Sequence, residues 1–339
     1  MKKKNIYLDG IMGLVVADAL GCPVEFMTRE ELAVEPVIGM REYGTHNRPK
    51  GSWTDDSSMA LATLDALIEG YDVAGIQENF VNWLYDGEYT ADGVVFDAGI
   101  TCENAIHQYV KHKSENPQII CGLDDEYSNG NGSLMRILPV CIYVYEQNQK
   151  GNMTNKQAIE MVHEVSALTH AHIRSKIACG LYYFIVKAIL HKKEETAESI
   201  VSCIENGLNE GFAFYESYME ATKELCQYNR LRNMHSFASV GEEQIKSSGY
   251  VVDSLEAAIW SLVNTDSYEQ AVLKAVNLGS DTDTVGAIAG GLAGLYYGVE
   301  AIPKEWKQVI LRREWIEMIC DEALGISIEN EIFIEKKFS

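Results

Sequence analysis

The stretch NLGSDTDTVGAIAGGLAGLYYG, residues 277–298, constrains the fold of this chain more than any other. It sets Asp281, Thr282, Asp283 and Thr284 at the start of a run built almost wholly of glycine, alanine and larger apolar residues. The apolar part is shorter than the ~20 residues that cross a bilayer. It follows directly on four polar residues, so it predicts a helix buried inside a globular protein. Asp and Thr are good N-caps, and the macrodipole stabilises acids at a helix N-terminus. Capping accounts for one acid. It does not account for two acids at i and i+2, bracketed by hydroxyls and set between apolar runs.

A second acidic pair lies far upstream in GSWTDDSSMA, residues 51–60. The adjacent carboxylates of Asp55 and Asp56 repel each other unless a cation sits beside them, which is tolerable in water and costly in a cleft. Either motif alone reads equally well as a helix cap. Together, Asp55, Asp56, Asp281 and Asp283 with the hydroxyls of Thr54 and Thr284 make an all-oxygen set at two helix starts. Such a set suits hard divalent cations, Mg²⁺ or Mn²⁺, and two cations balance its charge. Zinc is disfavoured, because no Cys or His cluster accompanies these acids at ligand spacing. The expectation is geometric: Thr54, Asp55 and Asp56 should meet Asp281, Asp283 and Thr284 within one or two ion diameters.

The rest of the chain reads as helix. Residues 59–68, 177–190 and 254–263 carry apolar side chains at i, i+3, i+4 and i+7, over lengths that suit helices. Breaks rich in Gly, Asn, Ser or charge fall at 41–52, 123–133, 146–157 and 239–253. None looks like an interdomain linker, and no internal repeat is visible, so residues 1–339 are expected to form one all-α domain. The net charge of -22 argues against a surface that tracks nucleic-acid phosphates or docks on anionic membranes. Eight cysteines are scattered without a C-x-x-C pair and read as reduced core thiols. The first ten residues fail as a secretory signal, and a cytoplasmic location is the expectation.

Seven ordered segments resemble the ADP-ribosylglycohydrolase family. They are GIMGLVVADALGCPVEF, GSWTDDSSMA, FDAGITCENAI, NGNGSLMRILPV, SALTHAHIRSKIACGLYY, SGYVVDSLEAAIWSL and the stretch that begins NLGSDTDT. The resemblance implies a single compact, orthogonal all-α domain, monomeric, with a binuclear metal cleft holding two Mg²⁺ or Mn²⁺ ions. It implies hydrolysis of the bond between ADP-ribose and an acceptor, on a protein or a small molecule. Arginine is the expected acceptor, because the pattern resembles the bacterial activating glycohydrolases more than the serine-specific branch. The implied metal ligands are Thr54, Asp55, Asp56, Asp281, Asp283 and Thr284.

Further roles follow from the resemblance, residue by residue. Glu25 matches the family's flap glutamate, Asp97 an Asp-x-Gly element near the cleft, and Asp18 a structural hydrogen-bonding acid beside Ala17, which stands where the family usually has glycine. Ser128, Gly130, Asn131 and Gly132 match the loop that cradles the pyrophosphate and adjoining ribose, and its glycines let backbone N–H groups approach an anion. Arg136 anchors that loop or neutralises charge, and His170 lies against the ADP-ribose. Tyr127 and Tyr250 are among the aromatic candidates for stacking on adenine. Glu25, Asp56, Asp283 and Asp97 are the candidate catalytic acids: one takes up a water proton as the glycosidic bond breaks with oxocarbenium character. Two rival readings are a hydrolase of another nucleotide-sugar linkage and a non-catalytic ADP-ribose binder. Release of free ADP-ribose from a modified arginine peptide argues against the first, and the intact acids of both clusters with an intact Glu25 count against the second.

Overall fold

A computed structural model describes residues 4–192 and 198–325. Its fifteen α-helices are α1 (Ile6–Gly21), α2 (Arg29–Val34), α3 (Asp55–Ile68), α4 (Val73–Asp86), α5 (Ile100–His112), α6 (Leu138–Gln149), α7 (Asn155–Ala167) and α8 (Ile173–His191), then α9 (Ile200–Glu216), α10 (Met234–Ala238), α11 (Val251–Val263), α12 (Tyr268–Val276), α13 (Thr282–Tyr297), α14 (Lys304–Val309) and α15 (Arg313–Ala323). Among the described residues β structure is limited to three isolated bridges. The expected helices at 59–68, 177–190 and 254–263 lie inside α3, α8 and α11. One expected break, 146–157, is shorter than its composition suggests. Helix α6 continues through Gln149, with Glu146 accepting from the Tyr7 hydroxyl, and a Thr154–Gln157 capping box starts α7.

Helices α1 and α13 form the centre, and all but two residues of each are buried. Their composition explains the closeness of their approach. A Cβ added to Gly13 would lie 2.4 Å from the Gly290 carbonyl oxygen, and one on Gly294 would lie 2.2 Å from that of Asp9. Ala17 fits this seam, because its methyl packs into the space left by Gly290. The stretch Ile6–Val24 has the length and hydropathy of a membrane span, yet 89% of it is buried inside the fold. Its covering is the small-residue helix α13. At roughly 1.5–3 kcal/mol per large apolar side chain removed from water, this seam is a principal source of stability.

The seam also places the ends of the helices. A Cβ on Gly21 would lie 2.4 Å from both the Cα and the amide nitrogen of Asp283, and Thr282 Oγ1 donates to the Gly21 carbonyl at 2.8 Å. The last turn of α1 is thus set against the first turn of α13. Helix α3 starts beside both, tied to α1 through Asp18.

Candidate active site

The start of α3 has its backbone donors satisfied from two sources. Thr54 is the N-cap, and its hydroxyl accepts from Asp56 N at 3.4 Å. Asp18, reaching across from α1, accepts from Thr54 N at 3.0 and 3.1 Å, from Ser57 N at 3.1 Å and from Ser57 Oγ at 2.5 Å. An acid from another helix therefore does the work expected of a local cap, as the structural reading of Asp18 anticipated. Asp55 and Asp56 are left free for other use. At α13, Asp281 holds the N-cap position but makes no side-chain capping bond; its Oδ2 accepts from Asn131 Nδ2 at 2.7 Å instead.

The two acidic motifs meet. Thr284 Oγ1 donates to Asp56 Oδ2 at 3.2 Å across 228 residues of sequence, and Thr54 Oγ1 donates to the same oxygen at 3.0 Å. Carboxylate oxygens of Asp18, Asp56 and Asp283 lie within 4.8 Å of one another, as do those of Glu25, Asp281 and Asp283. A third group, Glu25, His46 and Asp97, shares Glu25 with the second. Asp55 stands slightly apart from the first two groups: its Oδ2 accepts from Gly99 N at 3.3 Å, and Asp97 is the charge that acts on it most.

Most of these acids are buried, with Asp97 and Asp281 half-buried, and there is little to balance them. Among the described residues their only ion-pair partner is His46, which meets Glu25 Oε2 at 2.5 Å. Burial first, and then mutual repulsion, holds Asp55, Asp56 and Asp283 well above the usual carboxylate range. Burial also pushes Asp18 up to about 7, while burial with the charges of Asp97 and Asp281 pushes Glu25 up to about 10. Asp97 and Asp281 are raised too, mainly by burial. Asp56 Oδ1 and both carboxylate oxygens of Asp283 are buried with no hydrogen-bond partner among the described residues. Native structures rarely leave such atoms orphaned. Oxygen donors, surplus negative charge and unclaimed lone pairs together fit divalent hard cations.

The segment around Glu25 adds a feature that the sequence does not show. His46 lies in the 41–52 break, which carried no motif, and its ring packs against Phe26 and Phe96 with centroids 6.1 and 5.3 Å away. Five non-glycine residues with positive φ border this region: Phe26, Tyr43, Asn47, Asp97 and Ser280. Each such conformation costs about 1–3 kcal/mol and persists only where surroundings enforce it. Strain is thus concentrated next to Glu25, His46 and Asp281, and at Asp97 itself.

The 128–132 loop lies on the Asp281 side. The Asn131 side-chain Nδ2 bridges Asp281 and Ser254, donating to Ser254 Oγ at 2.8 Å, and its backbone N–H donates to the Gly249 carbonyl at 3.0 Å. Ser128 Oγ donates to Asp125 at 2.5 Å. Gly130 bridges to Tyr250, whereas Tyr127 is 95% exposed. His170 is buried beneath Gly130 and Gly132, so it underlies the loop. Arg136 is wholly buried and donates to the Val165 carbonyl and Thr169 Oγ1, which ties its segment to the end of α7, and it has no carboxylate partner among the described residues. Its position in an apolar helix-leading stretch hid this inward orientation.

Known proteins share this architecture. The family model described as ADP-ribosylglycohydrolase matches residues 2–331. The chain is 30% identical to the ADP-ribosylarginine hydrolase Tri1 of Serratia proteamaculans, over 95% of this chain and 79% of that protein. It is also 30% identical to the ADP-ribosyl-[dinitrogen reductase] glycohydrolase of Rhodospirillum rubrum, over 88% of each. A solved ADP-ribosylglycohydrolase-related protein complex superposes with a TM-score of 0.70 at 25% identity, covering 96% of this chain and 98% of that one. Fold and relatives together define an all-helical hydrolase. The chain belongs to the ADP-ribosylglycohydrolase family.

Proposed function

We propose that this protein releases ADP-ribose from modified arginine side chains of an acceptor protein, using two divalent cations, Mg²⁺ or Mn²⁺. The observation that carries the reading is the meeting of the two acidic motifs, with Asp56 and Asp283 keeping unclaimed oxygens in a buried, negatively charged cluster. The arginine linkage is favoured because two of the similar proteins, at 30% identity, are named ADP-ribosylarginine hydrolases. We take residues 1–339 as one catalytic unit acting as a cytoplasmic monomer. Eight unpaired cysteines, six of them buried, support a reducing compartment.

Thr54, Asp55, Asp56, Asp281, Asp283 and Thr284 would hold the cations. Bound there, such ions acidify water and offset charge that develops on oxygen. The residues around them supply the rest. Glu25, raised by burial and neighbouring acids, is placed to hold and pass a proton, and His46 fixes the direction of its carboxylate. Asp97 faces the same acids from a strained backbone and positions substrate. Ser128, Gly130, Asn131 and Gly132 would cradle the diphosphate and adjoining ribose, while Asn131 links that cradle to Asp281. His170 supports it from below.

The direct test incubates the protein with Mn²⁺ or Mg²⁺ and arginine-linked or serine-linked ADP-ribosyl peptides, and separates released ADP-ribose. Arginine-linked peptide should be cleaved, with Asp283→Ala and Asp55→Ala inactive. Folded, metal-loaded protein that releases ADP-ribose from neither peptide sinks the glycohydrolase reading; release from serine alone overturns the acceptor.

A further inference from the structure

Three side chains form a line beneath the glycine loop, and the reading above gives a role to only the last of them, His170. Arg136 is wholly buried. Its Nη2 donates to Thr169 Oγ1 at 2.8 Å and to the Val165 carbonyl at 3.1 Å, and the guanidinium faces the Phe80 ring at 4.7 Å. Its Nε and Nη1 have no partner among the described residues. Thr169 Oγ1 in turn lies 2.9 Å from His170 Nδ1. The far edge of that ring faces the loop: a Cβ on Gly130 would lie 3.3 Å from His170 Nε2, and one on Gly132 would lie 2.9 Å from Cε1.

A guanidinium has donors and no acceptor. Thr169 Oγ1 therefore accepts from Arg136, which leaves its single proton to donate onward. His170 Nδ1 is the strong acceptor within reach. The Cys102 sulfur also neighbours this hydroxyl, but thiol sulfur is a weak acceptor. Burial and the Arg136 charge push His170 down to about 3, so the imidazole is neutral and carries one proton. With Nδ1 occupied as an acceptor, that proton sits on Nε2, on the edge that faces Gly130.

We propose that Arg136 and Thr169 are positioning residues that commit His170 to its Nε2–H tautomer, so that a neutral donor faces the phosphate and ribose oxygens of ADP-ribose at the 128–132 loop. This rests on the reading of that loop given above. It gives a buried guanidinium without a counter-ion a reason to be kept, since such a charge is costly to bury. It also leaves His170 no free basic nitrogen, so the proton of the attacking water falls to the acids named above.

The test uses full-length protein labelled with ¹⁵N-histidine and free ADP-ribose as the probe. His170 is assigned by comparison with a His170→Gln variant. In the wild type its Nδ1 should give the signal of an unprotonated ring nitrogen and Nε2 that of a protonated one. Thr169→Ser should keep that pattern. Thr169→Val should lose it and weaken ADP-ribose binding roughly tenfold, the usual worth of one hydrogen bond. His170→Gln, whose amide N–H reaches the Nε2 position, should bind more tightly than His170→Asn, whose amide stops near Nδ1. A protonated Nδ1 in the wild type, or His170→Asn binding at least as well as His170→Gln, overturns the proposal. If Thr169→Val fails to fold, the wild-type spectrum and the Gln/Asn pair decide it. If the wild type binds no ADP-ribose, the loop assignment fails, while the spectrum still settles the tautomer.

Discussion

Replacing Gly21 by alanine tests whether the α1–α13 seam sets the catalytic geometry. The new methyl would lie 2.4 Å from Asp283 N and Cα and 2.5 Å from the Thr282 carbonyl carbon, all backbone atoms that cannot swing aside. Restoring ordinary contact requires the first turn of α13 to retreat by roughly 1 Å, a displacement that can cost about 100-fold in rate when it falls on reacting groups. Overpacking should cost about 1–3 kcal/mol of stability. The retreat carries Asp281, Asp283 and Thr284 away from Asp56, so Mn²⁺ affinity should fall with the rate. Steady-state release of ADP-ribose, Mn²⁺ titration calorimetry and thermal melting measure the three effects. Gly75→Ala is the control, because its methyl meets only the Asp72 side chain, at 3.4 Å and beyond; it should leave the rate unchanged. Gly21→Ala with kcat/KM within about threefold of wild type and unaltered Mn²⁺ binding would refute the reasoning.

Three further outcomes are expected. Asp283→Asn should raise the melting temperature of metal-free protein, because it removes one of several mutually repelling buried charges, and should abolish the stabilisation that Mn²⁺ gives; a lower metal-free melting temperature in folded protein contradicts this. In chelator, stability should fall as pH rises from about 7 to 9. Glu25 titrates near 4.5 when unfolded and near 10 when folded, so the native state binds more protons in that window, whereas the buried histidines His163 and His170 are neutral when folded and largely neutral when unfolded above pH 7. Mn²⁺ should flatten that slope, and a metal-free melting temperature that climbs with pH counts against it. His46→Ala removes the partner of Glu25 and should lower kcat roughly tenfold or more with little change in Mn²⁺ affinity; unchanged kcat dismisses His46 as an orienting group.

What was legible in the sequence depended on how far local chemistry determined the outcome. Helical periodicity placed α3, α8 and α11 because burial repeats every turn. The 277–298 stretch announced a buried helix through its residue sizes. The acid pairs announced a shared site because two local caps needed fewer acids than were present. The helix starts themselves show why cap and ligand could not be told apart beforehand: Asp18, thirty-six residues upstream of Thr54, takes over part of the capping at α3, and Asn131 turns Asp281 away from capping at α13. Both facts are tertiary. His46 was invisible because a lone histidine in a polar loop has no periodicity to betray it. Arg136 misled because an arginine beside a glycine loop suggests an anion, whereas its side chain turns inward to Thr169. Asp97 adopts a positive φ that Asp tolerates but does not advertise.

The pairing of α1 with α13 also has a consequence in time. Helix α1 leaves the ribosome well before its cover, which starts 261 residues after Gly21. At synthesis rates of about 5–20 residues per second, roughly 13–50 s pass before that cover is made. Throughout this interval a segment with the length and hydropathy of a membrane span lacks its final neighbour. Newborn chains should therefore depend on holding factors until α13 emerges, and a premature stop before residue 282 should yield an insoluble product rather than a merely inactive one.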